Sequence, residues 1–159
     1  MCAVTIPEGP GRGGDGMSDF DRFVGVWELD GIEDFLEGKR GPPAGFERSS
    51  GLLFYLPTGE MSVNFAGSSR LPFLREFFPT QSELAAAGSA YGGYAGRWEV
   101  DENLCEVLHH VETAFVPNRI GLTIRRSYSF SENLLLLLPI ALSPGEKAPD
   151  RVLCWRRRS

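Results

Sequence analysis

Leu52-Leu53-Phe54-Tyr55-Leu56-Pro57-Thr58-Gly59-Glu60-Met61-Ser62-Val63-Asn64-Phe65 is the stretch that decides the fold. It opens with a short apolar run. Pro57 and Gly59 then stand where a tight turn needs a preset φ and a residue free of Cβ. After the turn, Met61, Val63 and Phe65 fall on one face, and Ser62 and Asn64 on the other. This is a β-hairpin with one apolar face. A lone hairpin is not stable in water, so the rest of the chain must cover that face.

Further extended segments lie on both sides. Upstream, Phe23–Leu29 reads as a first strand. Asp30–Gly45 reads as a polar, Gly/Pro-rich connection, with Ile32, Phe35 and Leu36 as a helical turn over a barrel mouth. Residues 1–17 are dominated by glycine and proline after Ile6 and read as a disordered tail, leaving 18–159 as the folded domain. Downstream, residues 70–90 break the alternation. Leu71, Phe73, Leu74, Phe77 and Phe78 there suit a lid or a plug. Thr80-Gln81-Ser82-Glu83 matches a capping box and predicts a short helix over 81–87.

Strand patterns then resume. Tyr94–Val100 places Tyr94, Gly96, Trp98 and Val100 together. Glu106–Phe115 does the same for Val107, His109, Val111 and Phe115. Leu122–Phe130 aligns Leu122, Ile124, Arg126, Tyr128 and Phe130. Leu134–Leu138 and Arg151–Arg156 complete the series. About eight strands with hairpin-length turns and little helix point to an all-β fold, a closed up-and-down antiparallel β-barrel, because closure removes the exposed edges.

With 159 residues there is room for one domain with a real core. A net charge of -5 argues against a nucleic-acid partner. Arg125 and Arg126 are neighbours on a strand and should face opposite ways, and Arg156–Arg158 reads as a solvated end. The three cysteines are odd in number and irregularly spaced, which gives neither a disulfide framework nor a zinc pattern. Residues 1–17 lack a secretory signal, and the apolar run Leu134–Leu142 is short and contains Pro139. The chain reads as soluble and cytoplasmic, without a membrane partner. A second copy of the chain, in a homodimer, is left open. No phosphate loop, nucleophile elbow or dinucleotide fingerprint appears, and no cofactor is expected.

His109 and His110 are the only histidines. Adjacent strand residues point to opposite faces, so they cannot share one metal ion without a bulge, and no metal site is expected. Parity places His109 inward with Val107 and Val111. An imidazole there could move protons or be a tied structural group. Arg126 shares the apolar face of its strand and would need a carboxylate or a ligand oxygen. These two are the candidate catalytic residues. Tyr55, Met61, Phe65, Tyr94, Trp98 and Tyr128 are the candidate ligand-binding wall. His110 and Glu112 join that wall if the parity is reversed.

Gly25-Val26-Trp27, with Arg156 and Arg157 following Trp155, resembles the lipocalin signature, in which a first-strand Trp packs beneath an arginine from the closing strand. The wider order is GLLFYLPTGEMSV, YGGYAGRWEVDE, VLHHVETAFVPNRIG and TIRRSYSF. It resembles the lipocalin-like domain of bacterial and fungal proteins, many linked to secondary metabolism. The likeness runs from Phe23 to Trp155 and implies a calycin-type barrel around a small hydrophobic molecule. The glycine-rich continuation of the haem-binding nitrobindins is absent after Trp27. Two functions remain. One is a cofactor-independent cyclase or isomerase acting on a small hydrophobic metabolite in natural-product biosynthesis, with His109 managing protons and Arg126 developing negative charge. The other is a non-catalytic carrier of a small hydrophobic ligand. A barrel with a filled interior is a third, structural reading.

Overall fold

The Ser18 side chain accepts a hydrogen bond from the Asp21 N–H and starts a short helix, α1 (Asp19–Phe23). Phe23 is therefore helical, not the first residue of a strand. Its fully buried ring fills the base of the barrel, and its carbonyl accepts the Trp27 indole N–H at 2.8 Å. The computed structural model describes residues 16–36, 39–141, 145 and 150–159. The tail expected over 1–17 lies, for residues 1–15, outside the described residues.

The strands follow as β1 (Gly25–Leu36), β2 (Lys39–Gly41), β3 (Ser49–Tyr55), β4 (Glu60–Gly67), β5 (Tyr91–Asp101), β6 (Glu106–Ala114), β7 (Thr123–Ser131), β8 (Leu134–Pro139) and β9 (Arg151–Arg157), with helix α2 (Gln81–Ser89) between β4 and β5. Neighbours pair antiparallel, and β1 pairs with β3 on one side and β9 on the other. Eight strands thus close into a barrel, and β2 is an extra strand beside the far end of β1.

The deciding hairpin forms in the expected register, with Tyr55 opposite Met61 and Leu53 opposite Val63. Its Gly59 takes a φ of +94°.

Three expectations are corrected. Ile32, Phe35 and Leu36 form no helical turn. The β1–β9 register shifts between Leu29 and Gly31, and β1 then runs on with Ile32 opposite Leu153. The bulge bends β1 so that the backbone groups beyond it still find partners across the closing seam. Phe115 does not share the inner face of β6. Ala95 and Gly96 of β5 pair with Thr113 and Val111, leaving Glu112 as the extra residue of β6. That residue reverses the alternation, so Ala114 continues inward and Phe115 is exposed. The 70–90 segment is neither plug nor lid. Leu71, Leu74, Phe77 and Phe78 are exposed, and no described residue of the segment lines the inner cavity. Its helix starts as expected, with the Thr80–Glu83 capping box formed, and extends to Ser89.

The two ends of the barrel differ. At the base, short turns join β3 to β4, β5 to β6 and β7 to β8. There α1 crosses beneath the strands. Phe20 stacks on Trp98 at 4.6 Å, and Phe23 meets Tyr55 and Tyr128 edge to face. The Tyr128 hydroxyl donates to Asp19 at 2.6 Å. The Arg157 guanidinium lies 4.2 Å from the Trp27 ring and donates to the carbonyls of Val24 and Arg22. At the opposite end, among the described residues, the interior keeps a cavity. The leucines of β8 are buried on both faces. Leu135 and Leu137 join the inner core, while Leu136 packs with Val152 and Cys154 in a second cluster.

Candidate functional site

Alternation along the strands brings Leu53, Val63, Tyr94, His109, Arg126, Leu137 and Leu153 to the inner wall above the packed base. Ile32, Phe65, Trp155, Pro139, Arg151 and Arg119 complete a cavity of about 100 Å³. That is smaller than the void of about 150 Å³ that accepts benzene. It has room for a small group or the leading end of a larger molecule. Its lining combines apolar side chains, which suit a hydrophobic ligand, with Tyr94, His109 and the arginines.

His109 is buried and pinned by two tyrosines. The Tyr55 hydroxyl lies 2.7 Å from Nε2, and the Tyr94 hydroxyl lies 2.8 Å from Nδ1. Burial, then the charge of Arg126 and then that of His110, lowers the imidazole pKa to about 3. His109 is therefore neutral at ordinary pH and has one N–H and one bare nitrogen. The partners decide which is which. Tyr55 is fully buried and makes no second hydrogen bond among the described residues, which assigns its O–H as the donor to Nε2. Burial also raises the Tyr55 pKa well above the ordinary value, which keeps that proton in place. Nδ1–H then donates to the Tyr94 oxygen, and the Tyr94 O–H is left for the cavity that Tyr94 lines.

The arginines are not equivalent. Arg151 is held by Asp34 through two hydrogen bonds, at 2.6 and 2.8 Å, which also raise its pKa. Arg126, half-buried on β7, has no carboxylate partner among the described residues, nor does Arg119 at the end of the 3₁₀ turn Pro117–Arg119. Arg125, one residue from Arg126, turns outward to Glu106 at 2.7 Å. Trp155 carries the one buried side-chain donor that lacks a partner among the described residues, its indole Nε1–H. The other two tryptophans are satisfied, Trp27 by Phe23 and Trp98 by Leu56.

Of the expected wall, the structure brings Phe65 and Tyr94 together with His109 and Arg126. Tyr55 lies one layer below and acts on the cavity through His109. Met61, Trp98 and Tyr128 belong to the packed base, because α1 fills that end. His110 and Glu112 are corrected to the outer surface. His110 meets Thr123 at 2.9 Å and Glu99 at 3.2 Å, and Glu112 is exposed. Strand parity excludes both from the interior.

Sequence reading missed Arg119, Arg151 and Trp155. Arg119 sits in a turn, where no alternation signals direction. Arg151 opens β9, and its role depends on Asp34 across the seam. Among the described residues, no three His, Cys, Asp or Glu stand where they could hold a metal ion. No helix among them is long and apolar enough to cross a membrane.

The lipocalin-like domain model matches residues 24–158, from the end of α1 to just beyond β9. No curated protein and no solved structure gives a match. The Gly25-Val26-Trp27 signature works in place, with Arg157 and not Arg156 supplying the cation over Trp27. The closed eight-stranded barrel and the family match agree: the chain belongs to the lipocalin-like domain family.

Proposed function

We propose that this barrel binds a small, largely apolar organic molecule through its open end. The observation that carries this is the asymmetry of the interior. One end is filled by aromatic packing under α1, while the other keeps a cavity with an apolar wall and unpaired donors. A purely structural barrel has no use for an indole N–H and two arginines beside a void that find no acceptor or carboxylate partner among the described residues. A cytoplasmic setting belongs to this reading, and Cys105 and Cys154 form no disulfide among the described residues.

The test is a titration of the ¹⁵N-labelled protein with 1-hexanol, followed by amide and indole NMR. Saturable shifts at Leu53, Tyr94, His109 and Trp155, with α1 and the base unmoved, are expected. Shifts confined to the outer surface, or none, would remove the proposal.

Turnover is a second reading, favoured by the Tyr55–His109–Tyr94 chain. It presents a pre-oriented hydroxyl to the cavity beside Arg126, an arrangement that stabilises negative charge developing on oxygen. In this reading the protein is a cofactor-independent cyclase or isomerase of natural-product biosynthesis. The cavity folds the substrate into a reactive conformer. His109 then positions Tyr94 and takes no proton itself, because both ring nitrogens are engaged and its basicity is very low. A carrier would return its ligand unaltered. An enzyme would release a rearranged isomer of equal mass, and Tyr94→Phe would slow that conversion while leaving the fold unchanged.

A further inference from the structure

We infer that the bound molecule carries a carboxylate, and that Arg126 on the wall and Arg119 at the rim clamp it with the help of Trp155 Nε1–H and the Tyr94 hydroxyl. This deepens the small-molecule reading above and rests on it.

The argument is one of donors against acceptors. Among the described residues, the cavity wall presents side-chain donors with no free side-chain carboxylate to receive them. Arg126 and Arg119 each bring a guanidinium without a carboxylate partner. Trp155 brings an indole N–H with no acceptor. Tyr94 brings an O–H, because its oxygen already receives the proton of His109 Nδ1. The one carboxylate set against a lining arginine, Asp34, is occupied by Arg151.

A set of donors around one cavity that do not satisfy one another asks for an acceptor with several lone pairs and negative charge. A carboxylate has two oxygens and matches the flat fork of a guanidinium. An alcohol or ketone oxygen accepts at most two hydrogen bonds and brings no charge to set against the guanidinium groups. The volume agrees, since about 100 Å³ takes a carboxylate with a short chain, and the rest of a larger ligand would leave through the open end. The whole-chain charge of -5 makes the local excess of cations the more specific to this cavity.

The experiment compares hexanoate with 1-hexanol, which share a tail and differ in the head. Binding to the full chain is read by NMR and calorimetry. Hexanoate is expected to bind at least about tenfold more tightly, as a charge-assisted hydrogen bond implies. The Trp155 indole proton should move downfield with hexanoate, while those of Trp27 and Trp98 stay. Arg126→Gln and Arg119→Gln should each remove most of the advantage of hexanoate over hexanol. If either variant fails to fold, raising the salt concentration on the unmodified protein makes the same distinction, weakening hexanoate alone. Equal affinity for the two probes, or an advantage that survives both substitutions and salt, would overturn the carboxylate clamp and leave small-molecule binding standing. Failure of both probes to enter the cavity would defeat both readings together.

Discussion

Gly25 carries two constraints. Its φ is +139°, and a Cβ there would lie 2.9 Å from the Arg157 guanidinium that covers Trp27. The glycine of the Gly-x-Trp signature is thus needed for backbone conformation and for the close approach of an arginine. Gly25→Ala should cost about 1–3 kcal/mol. Arg157→Ala should cost about 2–3 kcal/mol through the lost ring contact and carbonyl hydrogen bonds. Urea unfolding measures both, and a loss well under 1 kcal/mol for each, on the scale of a neutral surface change, would contradict the assignment.

His109 makes the other residue-scale prediction. Its pKa falls from an ordinary 6.5 to about 3 on folding. Between those values the unfolded chain binds a proton that the folded chain refuses, so stability declines as pH drops from about 6.5 toward 3. Unfolding free energies at pH 7, 5 and 4 should show a steeper acid loss for the native chain than for His109→Gln. Equal slopes would mean that the imidazole protonates within the fold. The direction in which His109 points was legible from alternation. Its two tyrosine partners were not, because Tyr55 and Tyr94 come from strands that only the closed sheet brings to it.

At the scale of elements, β6 shows how one extra residue redirects a strand. Glu112 bulges opposite Ala95 and Gly96, and a Cβ on Gly96 would sit 1.9 Å from the His110 carbonyl oxygen. Gly96→Ala should therefore force the β5 and β6 backbones apart, at about 2–3 kcal/mol. Loss of amide protection in residues 108–113 would report it, and a fully protected variant would argue against the bulge geometry. Strand existence and hairpin register were readable in the chain because side chains alternate and turns carry proline or glycine. The bulges at Glu112 and near Asp30 were not, because they leave no composition signal. Phe115 and the Ile32–Leu36 segment were misread for that reason. α1 escaped notice because Phe23 looks equally apolar in a strand or a helix. The apolar 71–78 segment is exposed, so its composition misleads any expectation of burial.

For the whole molecule, the decisive event is the meeting of β1 and β9, the first and last long strands. The pair Asp34–Arg151 and the Trp27–Arg157 contact stand toward opposite ends of that seam. A closed seam implies that amides such as Ile32 and Val152 exchange only on global unfolding, while those of the edge strand β2 exchange by local opening. Hydrogen exchange followed by mass spectrometry or NMR checks this. Fast exchange at residues 152–155 would describe an open sheet.

The amino-acid sequence alone determined a barrel of alternating strands, the inward side of most of them, and the signature that names the family. Each of these depends on neighbours along the chain or on a period of two, which local chemistry writes directly. The tertiary structure alone decided where the barrel is filled and where it is hollow, which arginine is neutralised by Asp34, and which donors remain unsatisfied around the cavity. Those properties come from residues far apart in the chain meeting across the closed sheet, and no local pattern encodes such meetings.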